Sequence, residues 1–226
     1  MRKRSFIVAL AAAVLCMGLV GCSGGLTAND ATVYVQGLLD KTYLGKYNED
    51  YMELVDVDQS SLEQDYEDGL QVEAEVFCNY FEIVDPSDEL MEEIIDFYRE
   101  AYSHSKYTVN PASKMSTGGY AVEVVISPLD VISLMNEAAE EMSDGFFAQY
   151  DDVDVNAMSE EEYETFMADF EVKWGEAIVD LAYEKLPECG YLEDTYLTVQ
   201  VKQGDDGMWS LLDSDFEAID LAMIAY

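Results

Sequence analysis

Positive charge is what this chain lacks most. It carries 11 Lys and Arg against 48 Asp and Glu, a net charge of −37 with its one histidine neutral. Phosphate recognition depends on clustered Lys and Arg, so nucleic acid is excluded as a partner. The same field repels anionic headgroups and wall polymers, and it attracts divalent cations or cationic ligands. It also serves simply as a solvated surface that keeps the domain soluble. Histidine is nearly absent. A hydrolytic triad or an imidazole acid–base site would have to use His104,. His104 stands between Ser103 and Ser105 at an expected helix end, where an imidazolium gains from the macrodipole,. One histidine and few cysteines leave no His/Cys zinc set. Glycine-rich phosphate loops are missing too, since Gly24-Gly25 reads as tether and Gly118-Gly119 as a turn. No Pro/Ser-rich linker divides the chain.

Long apolar runs are also missing. The longest, Phe6 to Val20, has 15 residues, short of the roughly 20 a membrane-spanning helix needs. Its setting explains it. Met1-Arg2-Lys3-Arg4 is a basic tip, the run is a secretory h-region, and small polar residues, Ser23-Gly24-Gly25, follow,. Between them, Leu19-Val20-Gly21-Cys22 resembles the lipobox of bacterial lipoproteins. The resemblance implies cleavage between Gly21 and Cys22 and thioether lipidation of Cys22 by a diacylglyceryl group. A plain signal peptide, with Cys22 an ordinary cysteine, is the alternative. Each buried methylene contributes ~0.8 kcal/mol and one chain holds only marginally, so two chains suit stable attachment. Losing Arg2, Lys3 and Arg4 takes the mature charge from −37 to −40. The expected layout is a signal peptide over 1–21, the lipidated cysteine and a short tether over 22–27, and one acidic domain over 28–226.

Half of the residues are hydrophobic, so the acidic chain is not a disordered tail,. Thr27 with Asp30, Ser60 with Glu63 and Ser159 with Glu162 read as capping boxes, and Asp85-Pro86 as a further helix start,. Helical stripes follow, such as Leu62, Tyr66, Leu70, Ala74, Phe77 and Phe81 in a helix ending near Val84,. The helix after Ser159 carries Tyr163, Phe166, Phe170, Trp174, Ile178 and Leu181. The period changes to two around Tyr107–Val109, Tyr120–Ile126, Leu197–Val201 and Met208–Leu212, with turn glycines between, which predicts two β-hairpins,. The fold class is α+β, with long amphipathic helices packed on an antiparallel sheet made of two hairpins. Helices and a hairpin come twice, hinting at a duplication without any residue-level repeat.

The run Tyr34-Val35…Leu38-Leu39-Asp40…Tyr43…Gly45, the segments Ser105–Val109 and Gly119–Val124, and Gly207-Met208-Trp209 are similar to small surface lipoproteins of Gram-positive bacteria. That resemblance implies a cone of the nuclear-transport-factor or cystatin kind on the outer face of a cytoplasmic membrane. It brings no catalytic residue.

Cys78 and Cys189 could pair in a disulfide, which an exported location permits, or stand as two buried thiols,. Asp152, Asp154 and Asn156 have the 1-3-5 spacing of a calcium loop, but Ala157 and Tyr163 stand where Gly and Glu belong,. Asp56, Asp58 and Ser60 share that spacing, with Ser61 in the glycine place. No metal site, cofactor or catalytic residue is assigned. The 16 tyrosines, with Trp174 and Trp209, read as core and rim packing, or else as platforms for sugars or peptides. The expected function is a membrane-anchored, extracytoplasmic, non-catalytic module binding a ligand or protein partner. Its alternatives are a surface hydrolase using paired carboxylates and a structural or assembly protein of the envelope.

Overall fold

A computed structural model describes residues 25–205 and 207–226. The Leu19–Cys22 box lies outside them.

Three helices lead. Helix α1 (Ala28–Leu44) opens on the expected capping box: Asp30 N–H donates to Thr27 Oγ1 and Thr27 N–H to Asp30 Oδ2. It stops at Gly45, which takes the left-handed conformation at φ +56°,. Helix α2 (Glu49–Val55) follows, capped by Asn48. Helix α3 (Gln59–Tyr80) starts two residues earlier than its Ser-Ser-Leu-Glu pattern suggests. Asp58 accepts from Ser61 N–H at 2.9 Å and is the cap, so Ser60 is inside the helix. The helix ends at Tyr80 because Glu82 turns left-handed and Ile83 N–H closes back on the Cys78 carbonyl at 2.8 Å,.

Helix α4 (Asp88–Ser103) is capped by Ser87, whose hydroxyl accepts from Leu90 N–H at 3.1 Å. The sequence expectation of Asp85 as cap is corrected: Asp85 sits outside the helix at φ +45°. Strand β1 (Lys106–Val109), a two-residue β2 (Ser113–Lys114) and β3 (Tyr120–Ser127) make the first hairpin. The β2 rung carries no period-two signal and was not foreseen. Helix α5 (Val131–Phe147) and helix α6 (Glu160–Lys185) then form an antiparallel pair. The Ser159/Glu162 capping box at α6 is present as expected. Strands β4 (Thr195–Gln203) and β5 (Trp209–Leu211) form the second hairpin, and helix α7 (Asp213–Met223) closes the chain.

The two hairpins join through β3 and β4 into one antiparallel sheet of order β1-β3-β4-β5, with β2 also on β3. Register puts Val122 against Val199 and Tyr120 against Val201. These side chains, with Val124 and Ile126, point to the core and are buried, whereas Glu123 and Thr198 between them face solvent,. Helices α1 and α7 cover the buried face, and α3 and α4 pack beyond α1. The architecture is α+β, helices on an antiparallel sheet of two hairpins, as the period changes predict. The stripe of α6 is buried only in its second half, at Ile178, Val179, Leu181 and Ala182. Tyr163 at its start is 44% exposed. Among the described residues no helix is long and apolar enough to cross a membrane.

Candidate functional site

Two carboxylates are enclosed where α1, α3, α4 and α7 meet. Glu73 sits in line with Leu70 and Phe77 on α3, and Asp220 in line with Phe216 and Met223 on α7, so both lie on apolar helix faces,. Only 8% of Glu73 and 6% of Asp220 reaches solvent. Tyrosine hydroxyls partner them. Tyr102 donates to Glu73 Oε1 at 2.8 Å, and Tyr43 donates to Asp220 Oδ1 at 3.0 Å. The Tyr98 and Tyr226 hydroxyls share a hydrogen bond of 2.6 Å beside them. The rings interlock: Tyr43 meets Tyr102 edge-on at 5.3 Å, and Tyr98 meets Tyr102 at 5.6 Å,.

Among the described residues no cation joins this network. Lys41, the buried lysine nearby in α1, is spent on Asp65 of α3 at 3.4 Å. Burial pushes the Glu73 carboxyl up to about 8, and the Asp220 charge adds to it, against the Tyr102 hydrogen bond. Burial raises Asp220 to about 6, opposed by Tyr43. The phenols of Tyr43, Tyr98 and Tyr102 are held well above their ordinary value, by burial first in each case, and then by the carboxylates for Tyr43 and Tyr102 and by the Tyr226 phenol for Tyr98. At neutral pH the pair therefore keeps a proton, because two carboxylates in one dry enclosure do not both ionise. Nothing in the charge pattern of the sequence singles out these two of 48 acids. The available signal was positional: each interrupts an otherwise apolar helix face.

Two surface grooves are formed by described residues. One, of about 220 Å³, lies between the α3–α4 connection and α6. Ile83 and Leu90 line its floor and are buried, while Val84 and Val172 on its walls are 52% and 55% exposed. Its rim is Asp85, Glu89, Glu93, Glu171 and Glu176, with no basic residue in the lining. Gly175 sets the spacing of α6 here, since a Cβ on it would come within 2.7 Å of Leu90 Cδ2. The other groove, of about 500 Å³, is shallow and runs between α5 and α6 past Glu141, Asp180, Glu184 and Lys185. Neither groove is lined by Glu73 or Asp220.

The residues singled out in the sequence are scattered. Cys22 lies outside the described residues. Cys78 and Cys189 are free thiols in different surroundings. Cys78 Sγ packs 3.6 Å from Met91 Sδ between α3 and α4, and Cys189 Sγ points to the Gly190 carbonyl after α6. His104 is the C-cap of α4, with Nε2 3.5 Å from Glu100 on the surface. Three of the acids in the two calcium-like runs do local backbone work. Asp154 accepts from Asn156 N–H, Asp58 caps α3, and Asp56 is the left-handed cap of α2. Trp174 donates to the Phe81 carbonyl at 2.9 Å, tying α6 to the end of α3, and Trp209 packs on Tyr120.

No protein-family model matches the chain, and no curated protein matches it. A crystal structure of YcdA from Bacillus subtilis, described as a candidate lipoprotein, has the same fold. It matches with a TM-score of 0.53 at 18% sequence identity. The match covers 87% of this chain and 56% of that one, so this chain spans little more than half of YcdA's length.

Proposed function

We propose that this is a lipid-anchored protein of the cell membrane, facing the extracytoplasmic side, whose acidic domain binds a ligand or partner without catalysis. The leader and Cys22 support the anchor, and the fold shared with a candidate lipoprotein fits it. The observation that carries the non-catalytic reading is where the proton-holding carboxyls lie. A general acid has to come within hydrogen-bond reach of its substrate. Glu73 and Asp220 instead face tyrosine hydroxyls, buried among the helices and off both grooves. This weighs against the carboxylate hydrolase, the alternative from another class. A structural or assembly role for the envelope shares the anchor and differs only in having no separable ligand.

The anchor is tested by expressing the full chain and its Cys22→Ala variant with radiolabelled palmitate and fractionating the cells. The wild type should be labelled and pellet with membranes, and the variant should be unlabelled and lose processing at Gly21. A processed, unlabelled C22A protein that still pellets would overturn the anchor.

A further inference from the structure

We infer that the groove between the α3–α4 connection and α6 is a docking site for a basic segment of a partner protein. A Lys or Arg side chain would lay its aliphatic stem on Val84 and Val172 and set its charged head among the rim carboxylates. The inference rests on the binding-module reading and names the chemistry of its partner.

Four observations carry it. First, Val84 and Val172 are among the most exposed large aliphatic side chains of the fold, and both line the same groove. Long basic side chains cover apolar surface of this kind with their methylenes while the head stays polar. Second, the rim is uncompensated. Among the described residues, none of Asp85, Glu89, Glu93, Glu171 and Glu176 makes an ion pair. Lys173, the lysine on that stretch of α6, is held by Asp169 at 2.7 Å. Glu89 is explained by the first turn of α4, where an acid complements the helix dipole,. Glu93, Glu171 and Glu176 lie within helices and have no such reason to be there.

Third, the carboxylates surround the groove without gathering into a compact ligand set. Among the described residues no three His, Cys, Asp or Glu are placed to hold a metal ion. Several cationic heads carried by one basic segment fit that layout better than a bare ion. Fourth, the volume of about 220 Å³ is below the ~300–1,000 Å³ typical of small-molecule sites,. It has room for a side chain reaching in from a larger partner.

A chain of net charge −37 attracts any polycation, so the test separates the groove from the general field,. The probe is a fluorescein-labelled hexalysine peptide, read by anisotropy at 150 mM NaCl against the full chain held in detergent. Glu93→Gln, Glu171→Gln and Glu176→Gln together should weaken binding about tenfold, at a few-fold per partly exposed charge. Glu49→Gln, Glu53→Gln and Glu217→Gln remove the same charge from exposed sites on α2 and α7, outside the groove lining, and should weaken it less than about twofold. Val84→Ser with Val172→Ser leaves the charge unchanged and should weaken it about threefold. Equal losses in the two glutamine triples, or no effect of the serine pair, would overturn the groove in favour of field attraction. Absence of saturable binding to the wild type would also overturn it. Either failure leaves membrane attachment through Cys22 standing, because that is read in a separate experiment.

Discussion

Tyr43 and Asp220 stand 177 residues apart in sequence and meet at 3.0 Å in the core, the phenol donating to Oδ1. The contact joins α1 to α7. The matching contact, Tyr102 to Glu73 at 2.8 Å, joins α4 to α3. The two halves of the helical layer are thus held by neutral donors on carboxyl acceptors. Such buried pairs are worth little net when satisfied and cost much when one partner is removed.

The stability of the domain should fall as pH rises through neutrality. Glu73 and Asp220 hold protons more tightly folded than unfolded, where carboxyls titrate near pH 4. Their contribution is therefore fully present below about pH 4. It is lost as pH climbs through about 6 for Asp220 and about 8 for Glu73,. Asp58 and Glu162 act in the opposite sense. Hydrogen bonds at the helix caps lower both, so their contribution goes only below the ordinary carboxylate range. Urea midpoints at pH 5, 7 and 9 should decline in that order. Glu73→Gln keeps an oxygen acceptor for Tyr102 and removes one titration, so its decline between pH 7 and 9 should be shallower. Parallel declines for E73Q and wild type would sink the assignment, since repulsion among the surface acids is common to both.

Removing the acceptor separates packing from charge. Glu73→Ala leaves the Tyr102 hydroxyl buried without its partner, which costs about 1–3 kcal/mol,. At pH 5, E73A should therefore unfold at lower urea than E73Q. Equal midpoints would show that the hydrogen bond contributes nothing beyond the charge.

Gly37 on α1 is a position of close approach. A Cβ there would overlap the ring of Tyr51 on α2, which is 2% exposed and so has little room to retreat. Gly37→Ala gains helix propensity of up to ~1 kcal/mol, but overpacking of this kind costs about 1–3 kcal/mol. A lowered thermal midpoint is the expected result. Gly69, on the open face of α3, meets nothing within 4 Å, and Gly69→Ala should raise the midpoint instead.

The periodicities that placed α1, α6 and both hairpins were legible because each rests on repeated local signals. Thr27 with Asp30 and Ser159 with Glu162 cap their helices as their spacing implies. Where two caps compete within three residues, spacing does not choose between them. Asp58 and Ser60 both precede Leu62, and Asp85 and Ser87 both precede Leu90. In each case the structure uses the one whose oxygen reaches the third amide of the helix. Asp58→Ala should accordingly lower the thermal midpoint more than Ser60→Ala, with the reverse order restoring Ser60 as cap. The Glu73–Asp220 network was not legible, because its partners lie on four separate helices and no local pattern reports their meeting. The groove was hidden for the same reason, its walls coming from a connection near Val84 and a helix near Val172.

The two thiols should differ in reactivity under native conditions. Cys78 is 7% exposed, and burial first, with Glu75 second, pushes its thiol up to about 11. Cys189 is partly exposed, and burial first, with the nearby Asp130 second, raises its thiol too. Thiolate is the reactive form, so both are slow at neutral pH and Cys78 is the slower. Iodoacetamide at pH 8 should modify Cys189 first, with Cys78 following only as the domain opens in urea. Mass spectrometry of the non-reduced, denatured domain beginning at Gly25 should count two modified cysteines. A count of zero would mean that the two are bridged in the cell, and it would require Cys78 to leave Met91.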